Sequence, residues 1–108
     1  MPEIPGSLKL SVSEEGGRTV VVASGELDLY TSPRLRECLT QRIDDGARQL
    51  VVDLGAVTFV DSTALGVLVA ALKRVRAEGG TLELRAPTPS ARKVLEITGL
   101  NRVFTVTD

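Results

Sequence analysis

The sequence contains no histidine and no tryptophan, one cysteine, one tyrosine and two phenylalanines, so aromatic residues make up only 3% of its 108 positions. Without histidine there is no Ser-His-Asp relay, and Cys38 alone supports neither a disulfide framework nor a His/Cys metal site within one chain. The shortage of aromatics leaves Val, Leu, Ala and Ile to build the core, which suits an α/β domain. The phosphate-cradling pattern GxxxxGK is absent, so no P-loop holds a nucleotide. Positive charge is not in excess: 13 Lys and Arg against 14 Asp and Glu leave a formal net charge of -1 and a sequence pI near 5.5. That balance argues against a broad basic face and against direct nucleic-acid binding. No apolar run reaches membrane-spanning length, and "MPEIPGSLKL" lacks the basic and apolar segments of a signal peptide, so the expectation is a cytoplasmic protein without membrane contact.

With 43% hydrophobic and 25% charged residues, the chain reads as a single domain over residues 1–108, with residues 1–7 as a loose N-terminus. Leu8, Leu10 and Val12 alternate with polar neighbours, "EEGGR" turns the chain, and "TVVVAS" supplies a β-branched run, together predicting an antiparallel hairpin. Leu35, Cys38, Leu39 and Ile43 then fall at helical spacing, with Thr31 or Ser32 as N-cap, Pro33 in the first turn and Gly46 at the end. "QLVVDL" reads as a short central strand. A second helix is expected from about Thr63 to Glu78, stopped by Gly79 and Gly80. "TLELR" alternates as a strand, Thr88 and Pro89 open a third helix that ends at Gly99, and "RVFTV" closes as a last strand. The order β-β-α-β-α-β-α-β predicts a mixed sheet in which only the hairpin is antiparallel and the rest are right-handed βαβαβ crossovers packed by helices.

The stretch "TFVDSTALGVLVAALKRV" carries the chemistry. Asp61, Ser62 and Thr63 stand together before a helix, although one capping residue suffices to start one. Ser62 falls where the first helical N–H groups lack partners, and its plain role is as their cap. The helix that follows is apolar over an unusually wide arc: Leu65, Leu68, Leu72 and Val75 form a core stripe, and Val67, Val69, Ala70 and Ala71 surround it. Gly66 and Ala70 on the outer flank would leave a flat patch beside the hydroxyls, fit for close approach by another protein, and deep burial of the helix explains the same pattern equally well. A phosphate on Ser62 would meet the positive end of the helix dipole and place about -1.5 to -2 charges in such a patch.

"GELDLYTSPRLRECL", "VVDLGAVTFVDSTALGVLVAALKRVRAEGGTLELR" and "SARKVLEITGLNRVF" resemble, in order and spacing, the STAS-domain family of anti-sigma factor antagonists, from about Leu8 to Phe104. The Asp-Ser-Thr triplet followed by a small residue, Leu-Gly and an apolar helix is the most specific part. The resemblance implies a single STAS-like α/β domain that is not an enzyme and needs no cofactor. It further implies partner switching: unphosphorylated, the protein binds an anti-sigma factor that is also a serine kinase and so regulates sigma-factor-dependent transcription. Phosphorylation at Ser62 releases it, and a serine phosphatase resets the cycle. Thr63 matches the neighbouring hydroxyl position, and Ala64 stands where many members have Gly, which should leave the switch intact. Some STAS domains instead serve transporters or stress-signalling complexes.

Loops at the carboxyl ends of parallel strands gather on one edge, so Asp28, Tyr30 and Thr31 should neighbour Asp61 and Ser62. These residues, with Thr63, Gly66 and Ala70, form the candidate docking surface. The plainer reading makes Thr31 a cap and Asp28 a turn former, and the resemblance favours a rim role for Asp28. Asp53 in "VVDL" raises a rival, a receiver-like phosphoacceptor. "LKLSVS" offers no acidic pair for a metal and no lysine follows "TLEL" where a receiver needs one, so Asp53 is expected to tether the next loop. Cys38 is expected in the core, and Lys73, Arg74 and Arg76 as solvated complements to a helix C-terminus.

Overall fold

The computed structural model describes residues 7–108. Five strands and three helices follow in the predicted order: β1 (Leu8–Glu15), β2 (Arg18–Leu27), α1 (Ser32–Asp44), β3 (Gln49–Val60), α2 (Ser62–Ala77), β4 (Thr81–Arg85), α3 (Pro89–Thr98) and β5 (Thr105–Thr107), with a 3-10 turn at Leu100–Arg102 before β5. The sheet order is β1-β2-β3-β4-β5. Only β1 and β2 pair antiparallel.

Neighbouring parallel strands in sequential order, each joined through one helix, put the helices on one face when every crossover has the usual right hand. Burial follows that division. Val21, Ala23, Leu50, Val52, Leu82 and Leu84 share a core cluster with Leu35 and Leu39 of α1, Leu68 and Leu72 of α2, and Leu95 of α3. Val20 and Val51 are paired in the β2–β3 register on the opposite face, buried but outside that cluster. On their face lie the ion pairs Arg18–Glu83 at 3.2 Å and Arg85–Glu15 at 3.5 Å.

Several boundaries differ from expectation. β3 does not stop at Leu54 but runs to Val60, because breaks in the β2–β3 register between Val22 and Ser24 and between Gly25 and Glu26 let the longer strand continue past Gly55. Asp53 accepts the Gly55 N–H at 2.8 Å, tethering the following residues as expected. The last strand is shorter than "RVFTV", since Gly99, at φ 76°, ends α3 and the chain makes a 3-10 turn through Arg102. Thr88 caps α3 as predicted, its hydroxyl accepting from Ala91 N at 3.3 Å and donating to the Val57 carbonyl at 2.8 Å. Of the N-terminus expected to be loose over residues 1–7, residues 1–6 lie outside the described residues, and Ser7 departs from the expectation. Ser7 itself is tied, its carbonyl accepting from Glu26 N at 2.9 Å. Gly25 makes that approach feasible: at φ 114°, a Cβ there would stand 2.5 Å from the Ser7 oxygen.

Cys38 is half-buried at the margin of the core rather than within it. Burial raises its thiol pKa above the ordinary value, and the nearby Arg42 offsets this in part. Its thiolate fraction at neutral pH is therefore small, and alkylation of the native protein by iodoacetamide should run several-fold slower than that of the urea-unfolded chain. A native rate equal to the unfolded one would contradict this placement.

Candidate functional site

The carboxyl ends of β2 and β3 lie side by side, with Leu27 paired to Val60, so the β2–α1 loop and the start of α2 form one continuous surface. Asp61 holds them together. Its backbone N–H donates to the Leu27 carbonyl at 3.0 Å, its Oδ1 accepts from Ala64 N at 3.1 Å, and its Oδ2 accepts from Leu29 N at 3.0 Å. The residue that caps α2 is therefore Asp61, in extended conformation, and not Ser62. A carboxylate wins because it offers two acceptors in opposite directions, one for the helix and one for the neighbouring loop.

Ser62 is thereby released from structural duty. It is the first residue of α2 and is exposed, and among the described residues its hydroxyl has no hydrogen-bond partner. The backbone N–H groups of Ser62 and Thr63 likewise have no acceptor among the described residues, as expected for a first helical turn. An oxygen at Ser62 thus sits at the positive end of a 16-residue helix. Thr63 is half-buried beside it.

The other candidates divide. Asp28 is half-buried and closes its own loop, Oδ1 accepting from Tyr30 N at 2.9 Å and Thr31 N at 3.0 Å. Tyr30 stands on the surface, 77% exposed. Thr31 must be corrected as a docking residue: it is 2% exposed, its hydroxyl donates to the Glu26 carbonyl at 2.8 Å and accepts from Asp28 N at 2.9 Å, so it shapes the loop from inside. Nor does its side chain cap α1.

Gly66 and Ala70 lie on the exposed side of α2, whereas Val67 and Ala71 are buried. Burial thus accounts for Val67 and Ala71 in the wide apolar arc, and leaves Gly66 and Ala70 uncovered among the described residues. A groove of about 150 Å³ between the two helices, lined by Leu39, Ile43, Val67, Ala70 and Ala71 with Arg36 and Arg74 at its rim, extends this surface. Arg74 is engaged by Asp44 and Arg76 by the Val103 carbonyl, consistent with structural roles.

Two residues escaped sequence reasoning. Leu29 is 61% exposed and Phe59 51% exposed, and they flank Asp61 and Glu26 on the same edge. The available signal was an apolar pair, Leu29-Tyr30, in a loop between strand and helix where burial had no claim on it. Among the described residues no group of three or more His, Cys, Asp or Glu is placed to hold a metal, and no helix is long and apolar enough to cross a membrane.

The STAS domain model matches residues 9–108. This chain belongs to the STAS-domain family. Within the family it is 38% identical over 88 residues to an anti-sigma-B factor antagonist of Staphylococcus aureus, covering 82% of each chain. It is 33% identical over 100 residues to the protein of that description from Bacillus subtilis, covering 93% of this chain and 91% of the relative. The crystal structure of an anti-sigma factor antagonist from Mycobacterium paratuberculosis superposes with a TM-score of 0.88 at 32% identity, over 98% of this chain and 90% of that one. The sheet and helices described above are therefore shared with that structure over 90% of its chain.

Proposed function

We propose that this STAS protein is an anti-sigma factor antagonist of the cytoplasm, binding an anti-sigma factor with serine kinase activity when unphosphorylated and leaving it when Ser62 carries phosphate. The observation that carries the reading is the division of labour between Asp61 and Ser62. Because the carboxylate caps the helix, the hydroxyl is free to be a kinase substrate, and modification costs the fold nothing it was using. The names of the two relatives above 30% identity supply the partner class.

Ser62 follows Asp61, which holds the loop bearing the exposed Leu29 and Tyr30, and is on the same helix as Gly66 and Ala70; together with Phe59 these make up the proposed docking surface. A dianion at its centre would have to be desolvated against an apolar partner face, which is costly unless the partner offers compensating Arg or Lys. The same dianion meets the free N–H groups of the first turn of α2, so the domain tolerates it. The kinase brings nucleotide, magnesium and base, and the phosphatase reverses the ester; this chain contributes an accessible alcohol and a shape.

The test is to incubate the full chain with the anti-sigma factor kinase and ATP, then locate the phosphate by fragmentation mass spectrometry. A single acid-stable phosphate on Ser62, absent from Ser62→Ala, is expected. An acid-labile phosphate on Asp53, or transfer to Thr63 with Ser62 unmodified, would overturn the assignment.

A further inference from the structure

The outer edge of β1 has the geometry of a self-complementary interface. In the antiparallel β1–β2 register Leu8 lies opposite Gly25, and Glu26 N donates to the Ser7 carbonyl at 2.9 Å. Odd-numbered residues of β1 therefore turn their backbone groups toward β2, and Leu8, Leu10, Val12 and Glu14 turn theirs outward. The Leu8 carbonyl confirms this parity, since it is taken by the Arg34 guanidinium from α1 at 2.5 Å. The N–H and C=O groups of Leu10, Val12 and Glu14 have no partner among the described residues.

Only registers that set even positions opposite even positions satisfy both edges of an antiparallel pair. Among these, one aligns charge with countercharge. With Val12 opposite Val12 of a second copy, Leu10 faces Glu14, Ser11 faces Ser13, and Lys9 faces Glu15, twice over by symmetry. The three outward residues per strand then exchange all their backbone hydrogen bonds, and the bond already made to the Leu8 carbonyl lies just outside the paired run. Val12, 40% exposed in the single chain, meets its own copy across the two-fold axis. Lys9 joins a carboxylate that Arg85 already approaches. The opposite edge of the sheet, β5, has only three residues and offers no comparable run.

We propose that two copies of this chain associate through β1 in that register, making one continuous ten-stranded sheet with isologous symmetry. A second copy is the occupant because the strand complements itself in both backbone parity and charge. The contact is small, so the dimer is weak and concentration-dependent. None of the Ser62 surface takes part, which leaves both docking faces open and makes this inference independent of the proposed function.

Sedimentation equilibrium of the full chain from micromolar to millimolar concentration tests it. The expected result is a reversible monomer–dimer equilibrium, with slowed amide exchange at Leu10, Val12 and Glu14 in the concentrated sample. Val12→Lys sets like charges across the axis, and Lys9→Glu sets acid against Glu15; each should weaken dimerisation about tenfold or more. Combining Lys9→Glu with Glu15→Lys should restore it. Circular dichroism melts of the monomeric variants keep a folding defect distinguishable from a lost contact. A chain that stays monomeric throughout, a dimer indifferent to Val12→Lys and Lys9→Glu, or a charge-swapped pair that fails to recover would each overturn the proposal.

Discussion

Ser62→Asp should lower affinity for the anti-sigma factor kinase by about 100-fold or more, while Ser62→Ala binds within about threefold of wild type, as read by isothermal titration calorimetry. A shift of that size corresponds to about 2.7 kcal/mol and is within what an uncompensated charge costs on entering a desolvated contact. Both variants should unfold within a few degrees of wild type. Alanine removes a hydroxyl that bonds nothing among the described residues, and a surface change of this kind is usually worth less than about 0.5 kcal/mol. Aspartate at the first helical position gains from the dipole roughly what it loses to the neighbouring Asp61. If Ala and Asp bound alike, charge at this position would not be the switch.

Asp61→Ala should have the larger effect on the fold, lowering stability by about 2 kcal/mol, the upper end for loss of an N-cap. The upper end applies because two backbone donors lose their acceptor together, Ala64 N in the helix and Leu29 N in the adjoining loop. For a domain of this size the melting temperature should drop by about 8–12 °C. Asp61→Asn should fall between, since an amide oxygen can still serve one donor while its NH₂ group confronts the other. Binding should weaken as well, because the loop bearing Leu29 and Tyr30 is released from the helix that bears Ser62. A melting temperature unchanged in Asp61→Ala would mean that the carboxylate contributes neither bond.

Much of this fold is legible because punctuation and periodicity agree. Pro33 and Pro89 open α1 and α3, Gly46 and Gly99 follow their ends, and alternation in "TLELR" matches its burial. What could not be read are choices between neighbours that serve a structural role equally well. Three adjacent residues, Asp61, Ser62 and Thr63, can all cap a helix, and nothing local says that the carboxylate is preferred for its second bond to Leu29, 32 positions earlier. Thr31 illustrates the same limit in reverse: its loop lies at the site, yet its hydroxyl is consumed by Glu26 and Asp28. Gly55 and Ala56 resemble a turn in isolation, and only pairing with β2, across bulges that β3 itself carries, keeps them within β3.

The most direct test of the division between Asp61 and Ser62 uses one sample of the chain phosphorylated to completion by the kinase, with affinity for that kinase and thermal unfolding measured side by side. Binding should weaken by about 100-fold or more with a melting temperature within a few degrees of the unmodified protein. A melting temperature that collapses along with binding, or binding that survives the phosphate, would contradict that division.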